Sequence, residues 1–365
     1  MRCVGACAHS ARGTENCRPV LTALYTDTRQ AILDLDTARQ ASWFAVFDGH
    51  GGKEVAKFCA LRLHTAFAEQ PAWHAGRIED ALVESFLAMD REMRTDAGRK
   101  TLQSLAEEGM QQGSGEGGGS SSAAAGSSRD GTDGASPERS MSWYDPSRDA
   151  PGMPAGSPTL GMFNAADDED DGFLGPDTDD CGAGCTSVVA VVVAGVLYVA
   201  NAGDSRAVMC RDGGSAHDMS VDHKPTLEGE KARILAAGGF VADGRVKGSL
   251  ALSRAIGDLG FKQTPGLGPE AQMVTAMPDV RVEQLRAGDE FVILACDGIW
   301  DVMSSQQAVD FVRERLRNGA TPREVCAALC DACMAPNTQG MGLGCDNMSV
   351  VLCVFKPAML LKEKS

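Results

Sequence analysis

The stretch FAVFDGHGG, from Phe44 to Gly52, carries the strongest structural signal in the chain. An apolar run that fits a buried strand ends there in an acid, a histidine and three glycines. One explanation is a turn, because Asp-Gly is a common hairpin signal. The other is a metal site, in which Asp48 supplies a carboxylate and the glycines leave space for backbone or substrate beside it.

The same pattern recurs where other apolar runs end. GDSRAV contains Asp204, ACDGIWDV contains Asp297 and Asp301, and GCDNMSVV contains Asp346. Each acid taken alone is typical of a turn or a helix cap. If the strand ends converge, however, the carboxylates repel one another in a partly dry site, and a bound cation removes that repulsion.

The ligand chemistry favours hard divalent ions. Carboxylate and carbonyl oxygens without a cluster of His or Cys suit Mg²⁺ or Mn²⁺, and Gly49 offers a carbonyl with no side chain in the way. Two such ions about 3.5–4 Å apart hold a hydroxide for in-line attack. His50 is a candidate proton donor to the leaving group, although a lone histidine is more often structural. The sequence lacks the usual motifs of nucleophilic side-chain catalysis.

Composition narrows the class of protein. The chain has 365 residues, 43% of them hydrophobic, and a net charge of −16, which disfavours a nucleic-acid partner. No apolar run reaches the length of a membrane span, so we expect a soluble protein without a membrane partner.

One face of a predicted helix carries three cysteines, Cys326, Cys330 and Cys333. This spacing indicates a reduced face packed in the core, with a zinc site as the alternative.

Gly, Ser and Asp dominate residues 98–178. This composition predicts a disordered acidic insertion. It could recruit basic partners or act as a solvated spacer. The chain on its N-terminal side is too short for a core of its own, so we expect one domain over residues 20–357, interrupted by the insertion. Residues 1–19 and 358–365 are predicted tails. Clustered strands and paired helices favour stacked antiparallel sheets with helices outside.

Six motifs follow one another along the chain as FDGHGG, NAGDSRAV, DHKP, GRVKGSLALSRAIGD, ACDGIWDV and GCDNMS. In this order they strongly resemble the metal-dependent type 2C Ser/Thr protein phosphatases, and the acidic interruption resembles the gamma branch of that family. The resemblance implies an α+β fold, a four-layer αββα sandwich of two antiparallel sheets flanked by helices. It also implies direct hydrolysis of phosphoserine or phosphothreonine by a hydroxide that bridges two Mg²⁺ or Mn²⁺ ions, without a phosphoenzyme.

The resemblance further implies a role for each residue of the site. Asp48 would bridge both ions, Gly49 would give its carbonyl, Asp297 and Asp346 would bind one ion, Asp204 and Asp301 with Asp297 would form a weaker third site, and His50 would be the general acid. The implied partners are phosphorylated proteins, including basic ones. We expect a monomer in the cytoplasm or nucleus, and the Arg-containing N-terminus leaves organelle targeting open.

The N-terminus departs from the family pattern. Aligned on the LDLD run, Asp27 takes the place of the family's last metal-proximal acid, while Thr26 replaces a Glu and Thr22 replaces a phosphate-binding Arg. Arg18 or Arg29 could substitute for that Arg, whose bidentate contact contributes substrate binding. The first strand of the family is expected to be lost. Either the sequence contains a wrongly joined first exon, or the chain is a weakened or inactive phosphatase that serves as a binding module.

Overall fold

Two antiparallel sheets stacked face to face form the centre of the protein in the computed structural model, which describes residues 20–24, 28–113, 182–336 and 342–355. The strands, in chain order, are β1 (Val20–Leu24), β2 (Thr28–Asp36), β3 (Ala41–His50), β4 (Gly184–Val193), β5 (Val196–Ala202), β6 (Arg206–Arg211), β7 (Ser215–Asp218), β8 (Val241–Ala242), β9 (Arg245–Val246), β10 (Ile256–Gly257), β11 (Asp279–Gln284), β12 (Phe291–Ala295) and β13 (Val350–Val354). The helices are α1 (Glu54–Glu69), α2 (Pro71–His74), α3 (Ile78–Met93), α4 (Asp96–Gly113), α5 (Glu228–Ala236), α6 (Asp297–Trp300), α7 (Ser305–Arg317) and α8 (Pro322–Cys333).

The strand order is simple in both sheets. The first sheet runs β2-β3-β4-β5-β11, with the short β10 also paired to β4, and the second runs β1-β13-β12-β6-β7. Neighbouring strands are antiparallel. The hairpin between β4 and β5 turns at Ala194 and Gly195, which both have positive φ, as a two-residue type I′ turn requires.

Side-chain alternation along β3 separates the layers. Trp43 and Phe47 pack with the helices α1, α3 and α4, whereas Phe44 and Val46 pack between the two sheets. Successive residues of a strand face opposite sides, so the apolar residues 43–47 of this strand are buried on both. Helices α7 and α8 cover the outer face of the second sheet. The predicted four-layer αββα sandwich is therefore confirmed.

Two boundaries expected from the sequence are wrong. Strand β1 is present and pairs with β13, so the first strand is not lost; its apolar sequence VLTAL continues the second sheet. Helix α4 extends to Gly113, inside the predicted insertion that begins at residue 98, because Leu102 and Leu105 are buried against the helical layer. The remainder of the predicted insertion, from residue 114 onward, lies outside the described residues, and so do the two predicted tails.

The C-terminal helices follow their sequence signals closely. Both α7 and α8 begin with a capping box, in which Ser304 pairs with Gln307 and Thr321 pairs with Glu324. The three cysteines of α8 are thiols buried against the second sheet, as the predicted core face requires. Of the helices that the structure describes, none is long and apolar enough to cross a membrane.

Candidate metal centre

The two sheets bring two aspartates together at one end of the sandwich. Asp48 lies near the end of β3 in the first sheet, and Asp297 begins α6 directly after β12 in the second. Ligand atoms of Asp48, Asp297 and the intervening Cys296 thiol all lie within 4.8 Å of one another. Residues far apart in the sequence therefore converge where the sequence predicts a metal site.

The other three acids of the predicted site lie close enough to Asp297 to change its pKa. Burial, and then the charges of Asp204, Asp346 and Asp301, raise the pKa of Asp297 to about 7. Asp301 follows in the same turn, where its N–H donates to the Asp297 carbonyl at 2.8 Å, and burial also raises its pKa. The carboxylates are thus close enough to oppose one another's ionisation, which is the repulsion that a cation removes.

The donor set fits a hard divalent cation. Carboxylates predominate, and the thiol of Cys296 is engaged with the neighbouring loop, since its Sγ accepts from the Ser349 N–H at 3.1 Å and donates to the Asn347 carbonyl at 3.4 Å. That loop also carries Asp346, whose Oδ1 accepts from the Asn347 N–H at 2.7 Å. We assign Cys296 to holding this loop, because oxygen ligands suit Mg²⁺ or Mn²⁺ better than a thiol does.

The glycines beside Asp48 are required by close backbone packing. A Cβ on Gly49 would lie 3.0 Å from the Gly52 carbonyl oxygen, and one on Gly51 would lie 2.3 Å from the Gly182 carbonyl oxygen. Gly51 also has a φ of +68°, which L side chains rarely adopt. The bare backbone therefore lets β3 turn into α1 against the start of β4.

A lysine that the sequence gave no role lies among the acids. The Lys224 ammonium donates to the Asp204 carboxylate, which is buried. Burial alone would lower the pKa of Lys224, but Asp204, and then Asp297 and Asp301, raise it. The DHKP motif contains this lysine, and its position in that motif was the signal available from sequence.

The loop that carries Asp204 is held by a charged network. His223, buried behind it, accepts from the Gly203 N–H at 3.2 Å and contacts Asp279 at 3.1 Å through its other ring nitrogen. Arg254 joins Asp279 to the buried Glu230, with N–O distances of 2.8 and 2.7 Å. The network connects α5 to the rim of the site, and it gives His223 a structural role.

His50 ends β3, two residues after Asp48, and the sequence reasoning missed its partner. Its Nε2–H donates to Oδ2 of Asp258 at 2.7 Å. Asp258 follows β10, and its carboxylate is buried. The signal was present in the sequence, because AIGD repeats the arrangement of an acid after apolar residues and Gly.

The structure describes only some of the N-terminal residues that the sequence singled out. Arg18, Thr26 and Asp27 lie outside the described residues. The backbone of Thr22 lies in β1 opposite Leu352. Arg29 lies on β2 opposite Val46, and its use as a phosphate ligand stays a prediction.

Comparison with known proteins agrees with this geometry. The family described as Protein phosphatase 2C matches residues 15–113 and 160–342. "Probable protein phosphatase 2C 11" of Oryza sativa subsp. japonica is 41% identical over 346 residues, which cover 93% of this chain and 83% of that protein. "Protein phosphatase ppm-1.G" of Caenorhabditis elegans is 56% identical over 173 residues, which cover 47% of this chain and 35% of that protein.

A solved structure shares the fold. The crystal structure of a phosphatase from Toxoplasma gondii superposes with a TM-score of 0.57 at 21% sequence identity, and covers 93% of this chain and 94% of that one. At this identity the likeness concerns the fold alone. The family match over most of the chain, supported by the plant relative, shows that the chain belongs to the protein phosphatase 2C family.

Proposed function

We propose that this protein hydrolyses phosphoserine and phosphothreonine in proteins at a centre of two divalent metal ions, Mg²⁺ or Mn²⁺. Family membership supports protein phosphatase activity in general. The observation that carries the finer proposal is the convergence of Asp48 and Asp297 from opposite sheets, with ligand atoms within 4.8 Å. The charges of three further acids on Asp297 support it.

Each residue has a proposed part in holding the ions. Asp48 would serve both ions, Gly49 would contribute its carbonyl, Asp297 and Asp346 would hold one ion, and Asp27 would serve the other. Asp204 and Asp301, with Asp297, would form a weaker third site. When bound, the ions would supply an activated water for direct attack on phosphorus. His50 gives a proton to the departing Ser or Thr oxygen, a step that a poor leaving group requires.

The cysteines beside the site support direct hydrolysis. Burial raises the pKa of the Cys185 thiol well above its usual value, and the nearby charge of Asp48 raises it further. The buried Cys296 thiol is engaged with the backbone of residues 347–349. Because a nucleophilic cysteine must be a thiolate, Cys185 is not suited to form a phosphoenzyme.

The alternative is a phosphatase fold that binds partners without turnover. One observation favours it: Thr22 and Thr26 stand where the family pattern has the phosphate-binding Arg and a metal-proximal Glu. Such a protein would bind divalent ions and release no phosphate.

Turnover on a phosphothreonine peptide separates the two functions. We expect the full chain to release phosphate with Mn²⁺, and we expect a chelator or Asp297→Asn to abolish release. Asp80→Asn, at an exposed position of α3, is the control and should retain activity. Mn²⁺ binding by calorimetry without phosphate release would establish the binding module instead, whereas release that survives chelation would refute the metal centre.

We also propose the gamma branch, a monomeric state, phosphorylated substrates that include basic proteins, and a cytoplasmic or nuclear location. These follow from the family resemblance and from the acidic composition of residues 98–178. Removing residues 115–177, beyond the end of α4, and comparing turnover on basic and neutral phosphopeptides tests the recruiting role of the segment. An equal change on both peptides would favour a spacer.

A further inference from the structure

Asp258 is a buried acid at the edge of the site, and its side-chain partner among the described residues is His50. Only 4% of the Asp258 side chain is exposed, against 29% for His50, and 2.7 Å separates Oδ2 from Nε2. A buried carboxylate is costly unless it is hydrogen-bonded. The pair therefore restricts the imidazole, while part of the ring surface remains accessible.

The strand register brings the two residues together. His50 of β3 lies opposite Gly184 of β4, and Gly184 also lies opposite Gly257 of β10, directly before Asp258. A Cβ on Gly184 would lie 2.2 Å from Oδ2 of Asp258 and 2.4 Å from Nε2 of His50. The hydrogen bond thus occupies the space that the missing side chain leaves.

The loop that presents Asp258 is held on both sides of it. The Asp258 N–H donates to the Ala183 carbonyl at 3.0 Å, and the preceding Gly257 N–H donates to Oδ1 of Asp90 at 2.9 Å. Lys262 donates to Oδ2 of the same Asp90 and to the Ala255 carbonyl. Asp258 itself has a φ of +48°, a conformation that most L residues avoid and that Asp and Asn tolerate. A strained residue fixed by its surroundings is characteristic of functional sites.

We propose that Asp258 is a positioning residue for His50. It fixes the ring orientation by accepting the Nε2 hydrogen, so that a second hydrogen carried on Nδ1 is the one that passes to the departing oxygen, and the neutral Nε2–H ring is left behind. The catalytic part of this inference rests on the proposed function of His50 as proton donor. The pairing itself does not, because it is a property of the folded chain.

The matched variants are Asp258→Asn and Asp243→Asn. Both positions have a left-handed φ that Asn accepts, but Asp243 lies exposed in the turn between β8 and β9. We expect Asp258→Asn to lower kcat on a phosphothreonine peptide about 10- to 100-fold, as loss of an orienting partner does. Turnover of p-nitrophenyl phosphate should change less than about threefold, because its leaving group departs without a proton. Asp243→Asn should leave both rates unchanged.

Coupling to His50 is the second measurement. The variant His50→Gln/Asp258→Asn should be no slower on the peptide than His50→Gln alone, because both changes disable one unit. An equal loss on both substrates in Asp258→Asn, or a multiplicative loss in the double variant, would overturn the proposal.

A spectroscopic measurement on the metal-free protein tests the pairing of Asp258 with His50 independently of activity. Two-dimensional ¹H–¹⁵N spectra of the imidazole, assigned with His50→Gln, should show the Nε2–H form of His50 in the parent chain. Asp258→Asn should disturb that resonance and Asp243→Asn should not. If no preparation releases phosphate, the proposed function fails while this spectrum still supports or refutes the pairing. An unchanged His50 resonance in Asp258→Asn would refute it.

Discussion

The Lys262 ammonium donates to Oδ2 of Asp90 at 2.6 Å inside the protein, although 172 positions separate the two residues in the chain. Both side chains are largely buried. Asp90 also accepts from the Gly257 N–H, and Lys262 also donates to the Ala255 carbonyl, so the charges are satisfied on more than one side. The pair ties α3 to the loop that contains Asp258.

Removing one partner of this pair should be strongly destabilising. We expect Lys262→Met to lower the free energy of unfolding by about 3–5 kcal/mol, because the Asp90 carboxylate is left buried without its counter-charge. Urea unfolding of the metal-free protein, followed by tryptophan fluorescence, measures it. Arg77→Met is the control, since the Arg77–Asp80 pair is exposed and should contribute less than about 1 kcal/mol. A loss at Lys262 no larger than at Arg77 would contradict the buried role.

Gly184→Ala should separate His50 from Asp258 without a change of any polar group. The added methyl would meet both side chains well inside contact distance. We therefore expect turnover of a phosphothreonine peptide to fall by at least about tenfold. Gly229→Ala is the control, because a Cβ there meets no atom within 4 Å and the position lies in α5, where Ala is the better helix former. Equal activity of the two variants would show that the site accommodates the methyl.

Acid stability should depend on Glu230. Burial alone would raise its pKa, but hydrogen bonds from Arg254 and Ser253 and the charge of Arg233 lower it to about 2 from 4.5. A lowered pKa in the folded state contributes stability above pH 4.5, and that contribution is lost as the pH falls toward about 2.

Glu230→Gln should therefore be less stable than the parent chain at neutral pH, and the difference should shrink between pH 4.5 and about 2. Denaturant midpoints across this range measure it. Glu228→Gln, an exposed change on the same helix, should follow the parent curve at each pH. A difference from the parent that stays constant with pH would rule out the charge of Glu230 as its origin.

Lys224 should weaken cation binding at the proposed third site, which contains Asp204. Its ammonium already neutralises part of the charge of Asp204, so Lys224→Met leaves that carboxylate without its partner. We expect the affinity of this third site for Mn²⁺ to increase at least about tenfold in Lys224→Met. The variant removes a close Lys224–Asp204 charge pair, in a partly buried site, that competes with the cation. Calorimetric titration measures the affinity directly. Lys231→Met, an exposed change on α5, should leave it unaltered, and an unchanged or lower affinity in Lys224→Met would contradict the prediction.

The cysteines of α8 should resist modification in the native protein. Burial raises the pKa of Cys326 and of Cys333 to about 12, so little thiolate is present at neutral pH. Of the cysteines in the part of the chain that the structure describes, Cys345 is the exposed one and should react first with iodoacetamide, as judged by mass spectrometry of peptides. Labelling of Cys326 as fast as Cys345, or thermal destabilisation by a zinc chelator, would favour the alternative of a zinc site at these cysteines.

Local sequence rules account for much of the fold. Alternating side-chain direction along β3, the Ala194-Gly195 turn and the capping boxes of α7 and α8 involve neighbours in the chain, and their spacings can be read directly. Ordered motifs also indicated the family. The same rules failed for α4, where composition predicted disorder but two leucines at helical spacing are buried.

Stacking of the two sheets settled which charged groups meet. From sequence, Asp48 and Asp297 were two of several strand-end acids, and nothing local distinguished a shared site from separate turns. Asp258 and Lys224 had no assigned role, because their partners His50 and Asp204 come from other elements. Pairing between distant residues depends on strand register and layer packing, which are properties of the whole folded chain, so local spacing can indicate the candidates without indicating which of them touch.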